Sequence, residues 1–156
     1  MIRKARPEDT KRVQELLKSA NLPTDGLGDA NLDLFVLEEK KKIVGSIGIE
    51  YHSPYALVRS LAVDAASRGA GKGRALLFHA INEAKEHNAS AVYGLTNTIP
   101  DWLGRLQFKE VPRAKLPTEL NASKELGDAC PEDARAFSRS LKAPVSRERS
   151  AFLQSR

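Results

Sequence analysis

Six consecutive residues, Arg68-Gly69-Ala70-Gly71-Lys72-Gly73, constrain the chain more than any others. They separate the apolar run Leu57-Val58-Arg59-Ser60-Leu61-Ala62-Val63 from a segment of helical character, Arg74 to Asn88. A glycine-rich loop between a strand and a helix lets backbone N–H groups converge where the helix macrodipole already favours an anion. Glycine lacks the Cβ that would keep a phosphate away from the backbone. Hydrogen bonds to charged oxygens contribute roughly 1.5–3 kcal/mol each, so three or four would hold a pyrophosphate. The loop contains no acidic residue, and Arg68, Lys72 and Arg74 add positive charge.

Two common phosphate motifs do not fit. The Walker pattern needs Lys-Ser/Thr after its last glycine, where Arg74 and Ala75 follow Gly73; the dinucleotide fingerprint needs G-x-G-x-x-G, whereas the glycines stand at 69, 71 and 73. The spacing Arg-x-x-Gly-x-Gly, preceded by the Leu-x-Val strand end Leu61-Ala62-Val63, resembles the coenzyme A pyrophosphate loop of the GCN5-related N-acetyltransferases. That resemblance implies acetyl-CoA as cosubstrate, with Arg68, Gly69, Ala70, Gly71, Lys72 and Gly73 at the pyrophosphate.

The 156 residues suffice for one domain with a real core. No apolar run approaches the length of a membrane span, and Met1-Ile2-Arg3-Lys4 leads into no signal-peptide core. Cys130 is the sole cysteine, so neither an internal disulfide nor a cysteine-rich metal site is expected. These features point to a reduced, cytoplasmic protein with no bound metal and no membrane partner. The net charge of +5 is spread along the chain and does not alternate with aromatics, which argues against a nucleic-acid partner.

Periodicity and turn chemistry give the element order. Ile2 to Arg6 reads as an edge strand. Pro7 starts a helix with Glu8 and Asp9 in its first turn, and Val13, Leu16, Leu17 and Ala20 mark its apolar face. Strands over Leu32 to Glu38, Lys42 to Tyr51 and Tyr55 to Val63, joined by Glu39-Lys40-Lys41 and His52-Ser53-Pro54, make an antiparallel meander. After the loop and long helix come a strand at Ala91 to Leu95, a short helix from about Ile99 to Leu106, and a strand at Phe108 to Ala114. Weak helical character follows over Pro117 to Gly127, then a last strand near Ala134 to Leu141. The fold expected is a single α/β (α+β) domain over residues 1–142, a mixed, mostly antiparallel central sheet flanked by helices. A basic tail, residues 143–156, lies outside it.

A narrower resemblance rests on Gly48-Ile49-Glu50, Leu57 to Val63, Leu95-Thr96-Asn97-Thr98, Val111-Pro112-Arg113, Pro117 and Cys130-Pro131. These segments are similar to the small N-acetyltransferases associated with arsenic-resistance operons. The likeness implies acetyl transfer to a small, amino-acid-like amine, and many relatives are homodimers.

Direct transfer needs a held thioester, a polarised carbonyl, a neutral amine and a proton for the thiolate. By resemblance, the pantetheine arm runs along Leu61, Ala62 and Val63, where backbone groups hold it and an N–H polarises the acetyl carbonyl; losing such a donor can cost about 3–4 kcal/mol. Asn97, with Thr96 and Thr98, either caps the short helix or faces the coenzyme. Many relatives carry a glutamate on the strand before the loop, where this chain has Arg59-Ser60, so Glu50 on the neighbouring strand is the acidic candidate. A hairpin turn at His52 to Pro54 would make Glu50 and Arg59 diagonal neighbours on one face. Glu50 would then accept the amine's proton and Arg59 would grip a substrate carboxylate; alternatively, the two simply pair. His52, in the turn, is a further candidate for substrate contact.

Relatives often place a thiolate-protonating tyrosine in the short helix; in Trp102-Leu103-Gly104-Arg105-Leu106-Gln107-Phe108 that position is Leu103. A thiol pKa of about 8.5 leaves water or substrate able to supply the proton. Neutralising a lysine-like amine at pH 7 costs roughly 4–5 kcal/mol against about 1 for an α-amine, which favours the α-amine as acceptor. Cys130, His79, His87 and Trp102 read as packing or surface residues. The chain is therefore expected to be an acetyl-CoA-dependent N-acetyltransferase working through a ternary complex; the alternative is a noncatalytic coenzyme A sensor.

Overall fold

The computed structural model describes residues 1–96, 101–123 and 134–141. Seven strands form one sheet in the order β1-β2-β3-β4-β5-β7-β6. They are β1 (Ile2–Lys4), β2 (Leu32–Glu39), β3 (Lys42–His52), β4 (Tyr55–Val63), β5 (Ala91–Thr96), β6 (Lys109–Val111) and β7 (Arg135–Ser140). Among the described strands every pairing is antiparallel except β4 with β5, which α2 (Lys72–Glu86) connects as a crossover. The mixed, mostly antiparallel sheet expected from the sequence is present.

Alternation along β2 shows how the sheet is sandwiched. Phe35 and Leu37 join a core with Leu76, Leu77, Ala80, Ile81 and Ala84 of α2, together with Ile47, Ile49, Ala56 and Val92. Leu34 and Val36 face the other way, toward Val13, Leu16 and Leu17 of α1 (Thr10–Ser19) and Ala62 of β4. The two helices thus cover opposite faces. A Cβ on Gly45 would lie 2.9 Å from Leu76 Cδ1, so α2 packs closer to β3 than a side chain there would allow.

Several boundaries differ from the sequence reading. β1 stops at Lys4, and Pro7–Asp9 is a 3-10 turn leading into α1. Asp9 folds back to bond Arg3 and the Arg6 N–H, which tightens that entry. The long helix runs over Lys72–Glu86, two residues earlier at each end than Arg74 to Asn88, because positive φ at Gly71 ends the loop there. β3 includes His52, since its register with Tyr55 leaves a two-residue turn. The short helix is a 3-10 segment, Asp101–Leu106, and Pro117 is followed by another, Thr118–Ala122. The strand expected over Phe108 to Ala114 contracts to Lys109–Val111, because Pro112 cannot donate to the ladder and Arg113–Lys115 turns away. Asn97, Thr98, Cys130, Pro131 and the 143–156 tail lie outside the described residues.

No helix among the described residues is long and apolar enough to cross a membrane. No group of His, Cys, Asp and Glu side chains among them could hold a metal ion.

Candidate active site

β4 is distorted at its centre. Ser46 pairs with Ala62 and Gly48 with Arg59, so β3 advances from 46 to 48 while β4 advances from 59 to 62. The extra residue makes a bulge at Ser60, whose φ is +59°. A left-handed serine costs about 1–3 kcal/mol, which is offset here by the Ser46 hydroxyl donating to the Ser60 carbonyl (2.8 Å).

The bulge coincides with the parting of two parallel strands. β4 and β5 are in register from Tyr55 with Ala91 to Val58 with Gly94, and no further. β4 nevertheless continues through Leu61, Ala62 and Val63, and β5 through Thr96. Over Leu61 to Val63 the β5-facing edge of β4 has no strand partner among the described residues. An extended ligand could add to such an edge by main-chain hydrogen bonds. The Val63 carbonyl accepts from Arg68 Nε (2.9 Å).

At the end of that edge lies the glycine loop. Gly69 and Gly71 have φ of +90° and +77°, and a Cβ built on either meets nothing within 4 Å. Gly71 caps α2 without a side-chain hydrogen bond. The first turn closes through the Ala75 N–H to the Gly71 carbonyl (3.0 Å), so the N–H groups of Lys72, Gly73 and Arg74 lie ahead of the helical ladder. Ala70 is exposed beside them. Lys72 turns aside to Glu39 at the end of β2, with Nζ 3.0 Å from Oε1.

On the α1 face, beside the parting strands, the structure brings Glu50 and Arg59 together. Glu50 pairs in register with Leu57, so Arg59 is its diagonal neighbour; Oε2 lies 2.9 Å from Arg59 Nη1. Both residues are buried, at 2% and 3% exposure. Gly48 stands opposite Arg59; a Cβ there would be in ordinary contact with the Arg59 Cγ at 3.5 Å and would crowd Leu32 Cδ1 at 3.0 Å. Arg59 Nε donates to Ser60 Oγ (3.2 Å), and Nη2 makes a long contact with the Pro23 carbonyl (3.5 Å).

The second Glu50 oxygen, Oε1, is 2.9 Å from His52 Nε2, and the Ser123 hydroxyl also donates to the carboxylate. Burial pushes the Glu50 carboxyl up, but the bonds from Ser123, His52 and Arg59 outweigh it and hold it below the usual carboxylate range. The result is a buried, ionised carboxylate held by three side-chain donors.

The network contains parts that periodicity and motifs do not reveal. Ser123 and the Pro23 carbonyl reach the site from loops, and nothing in their local sequence marks them. The Ser60 bulge has only one signal, a serine within an apolar strand. Leu103 is buried and packs in the α2-side core.

A comparison with curated protein sequences finds no match. Among solved structures, the fold is similar to Rv2747 from Mycobacterium tuberculosis, a complex with CoA, at TM-score 0.76 and 20% identity over 91% of this chain and 99% of that one. N-acetylglutamate synthase from Neisseria gonorrhoeae, complexed with coenzyme A and N-acetyl-glutamate, matches at TM-score 0.74 and 19% identity over 92% of this chain; only 35% of the synthase is covered. The ribosomal-protein-S18-alanine N-acetyltransferase from Escherichia coli matches at 0.68 and 17%, over 92% of this chain and 94% of that enzyme. The profile of the acetyltransferase (GNAT) family matches residues 2–101. With the parted strands, the glycine loop and that match in hand, the chain belongs to the GNAT acetyltransferase family.

Proposed function

We propose that this protein is an acetyl-CoA-dependent N-acetyltransferase that moves an acetyl group to the primary amine of a small, amino-acid-like acceptor by direct transfer in a ternary complex. One observation carries the reading: beyond its pairing with β5, which ends at Val58, β4 continues through Leu61, Ala62 and Val63 toward the open N-terminus of α2, which has no side-chain cap. An extended thioester arm would take the edge, with Leu61, Ala62 and Val63 as its backbone partners, while its pyrophosphate would take the N–H groups of Gly71 to Arg74. The CoA complexes of two structural neighbours support acetyl-CoA as cosubstrate.

The acceptor would enter over the Glu50 network. Glu50 would be the anionic centre of the proton-accepting group. An acceptor carboxylate would engage Arg59 by replacing the long 3.5 Å contact between Nη2 and the Pro23 carbonyl. N-acetyl-glutamate in the gonococcal synthase is the product of such an acceptor, which supports this class. The segments similar to arsenic-operon acetyltransferases support the same class.

A noncatalytic coenzyme A sensor is the second reading, favoured by Leu103, which is buried in the core where many relatives carry a tyrosine acid. Release of free coenzyme A from acetyl-CoA, across amino acids, their phosphinic and arsonic analogues, polyamines and lysine peptides, separates the two. Multiple turnovers confined to amino-acid-like amines are expected; tight acetyl-CoA binding with no turnover on any acceptor would favour the sensor.

A further inference from the structure

We infer that the atom taking the amine's proton is Nδ1 of His52, with Glu50 as the carboxylate that orients the ring. The inference rests on the acetyl-transfer reading above and identifies the base within that site.

The argument starts from donors and acceptors. A carboxylate paired with a buried guanidinium is ionised and can only accept hydrogen bonds. Glu50 Oε1 is 2.9 Å from His52 Nε2, so that nitrogen must carry the hydrogen. The neutral ring then holds its lone pair at Nδ1. A carboxylate that fixes the tautomer of an imidazole in this way makes the opposite nitrogen the base.

Glu50 itself is badly placed to collect a proton. Arg59, His52 and Ser123 occupy its oxygens, and the residue is 2% exposed. Protonating it would leave Arg59 buried without its counter-charge. His52 is the less buried of the two, its side chain 6% exposed against 3% for Glu50, and it is the last residue of β3, beside the Ser53-Pro54 turn. The groups facing the dyad are Arg59 from β4 and Ser123 from the segment after the Thr118–Ala122 turn; Tyr55 of β4 is the register partner of His52, and its ring packs edge-on against Tyr93 of β5.

The step balances as follows. An N–H bond of the acceptor ammonium breaks, directly or through one water, and an Nδ1–H bond forms, giving an imidazolium beside ionised Glu50. The freed amine attacks the thioester carbonyl; a C–N bond forms and the C–S bond breaks. The second amine proton goes to the departing thiolate, and the imidazolium returns its proton to solvent.

Two measurements on the full chain test this. The first is the 15N spectrum of the His52 imidazole, in which hydrogen on Nε2 and a lone pair on Nδ1 are expected; hydrogen on Nδ1 in the neutral ring would overturn the inference. The second is kcat against pH with two acceptors of different amine pKa, so that a limb which does not move between them belongs to the enzyme. His52→Asn should lose that limb and about 100-fold or more in kcat, with partial rescue by added imidazole. Glu50→Gln should keep the limb but lower kcat, because the ring keeps its base nitrogen and loses the carboxylate that orients it. A His52→Asn or His52→Gln enzyme that melts like the wild type and keeps both limb and kcat would sink the inference alone. Wild-type protein that acetylates no amine would sink the acetyl-transfer reading and this inference together.

Discussion

Glu50 on β3 and Arg59 on β4 stand one diagonal step apart, Oε2 to Nη1 2.9 Å, and neither reaches solvent. The separation follows from two features of the strands. The register sets Glu50 against Leu57, and it sets Gly48, which carries no side chain, against Arg59. A buried pair of this kind adds little net stability over an apolar pair of the same volume, yet removing one partner strands the other charge.

That asymmetry gives the first prediction. Glu50→Gln or Arg59→Met alone should destabilise the fold by about 3–5 kcal/mol, whereas Glu50→Leu with Arg59→Met should recover most of the loss. Urea denaturation of the singles and the double is the check. Acetyl transfer should be absent in the double however stable it is; a stable double with full turnover would reduce the pair to a structural role.

The acid side of the stability curve follows from two carboxyls. Glu50 and Asp9 both have folded-state pKa values below their ordinary ones. For Asp9 the leading cause is its bond from Arg3; burial opposes this and the Arg6 N–H adds to it. Groups depressed on folding contribute stability that is present above the unfolded pKa, about 4, and is lost as pH falls through the folded value. The urea midpoint should therefore fall steadily below about pH 4, and the wild-type curve should be steeper there than that of Glu50→Gln or Asp9→Asn.

The loop can be tested with a single methyl group. A Cβ on Gly71 meets nothing within 4 Å, so Gly71→Ala pays only for its left-handed φ, about 1–2 kcal/mol or a few degrees in Tm. The methyl should nonetheless stand where an anion approaches the α2 N–H groups. KM for acetyl-CoA should rise tenfold or more with kcat little changed. Gly104→Ala, also facing open space but without positive φ, serves as the control and should leave KM as it is.

The β2–β3 hairpin carries strain that sequence can relieve. Lys40 and Lys41 have φ of +51° and +66°, the backbone of a two-residue turn that asparagine and glycine prefer. Replacing them with Asn-Gly should stabilise the fold by about 1 kcal/mol, raising Tm by a few degrees. An unchanged or lower Tm would show that the lysines serve the turn in another way.

The sequence was most legible where a local rule acts alone. Val13, Leu16 and Leu17 at helical spacing became the buried face of α1, and three glycines with no acid between them became an open loop at a helix start. The meander was readable because short turns join neighbouring strands; the diagonal relation of Glu50 to Arg59 expected from a His52–Pro54 turn is present, but it comes from the two-residue Ser53-Pro54 turn that pairs His52 with Tyr55. Boundaries were less legible, as at Pro112, where one residue ended a strand that the apolar pattern would have continued.

The sequence by itself determined the element order, the positive helix start and the identity of the two charged residues on adjacent strands, because each depends on spacing within a few residues. Only the tertiary structure decided three other matters: the slip at Ser60, the parting of β4 from β5 after Val58, and the ring of donors from His52, Arg59 and Ser123 that keeps Glu50 ionised. The physical reason is distance along the chain. Hydrogen bonds that join positions 46 to 60 and 50 to 123 form only when the sheet has closed, and those on Glu50 then hold, against the cost of burial, a charge that local sequence leaves open.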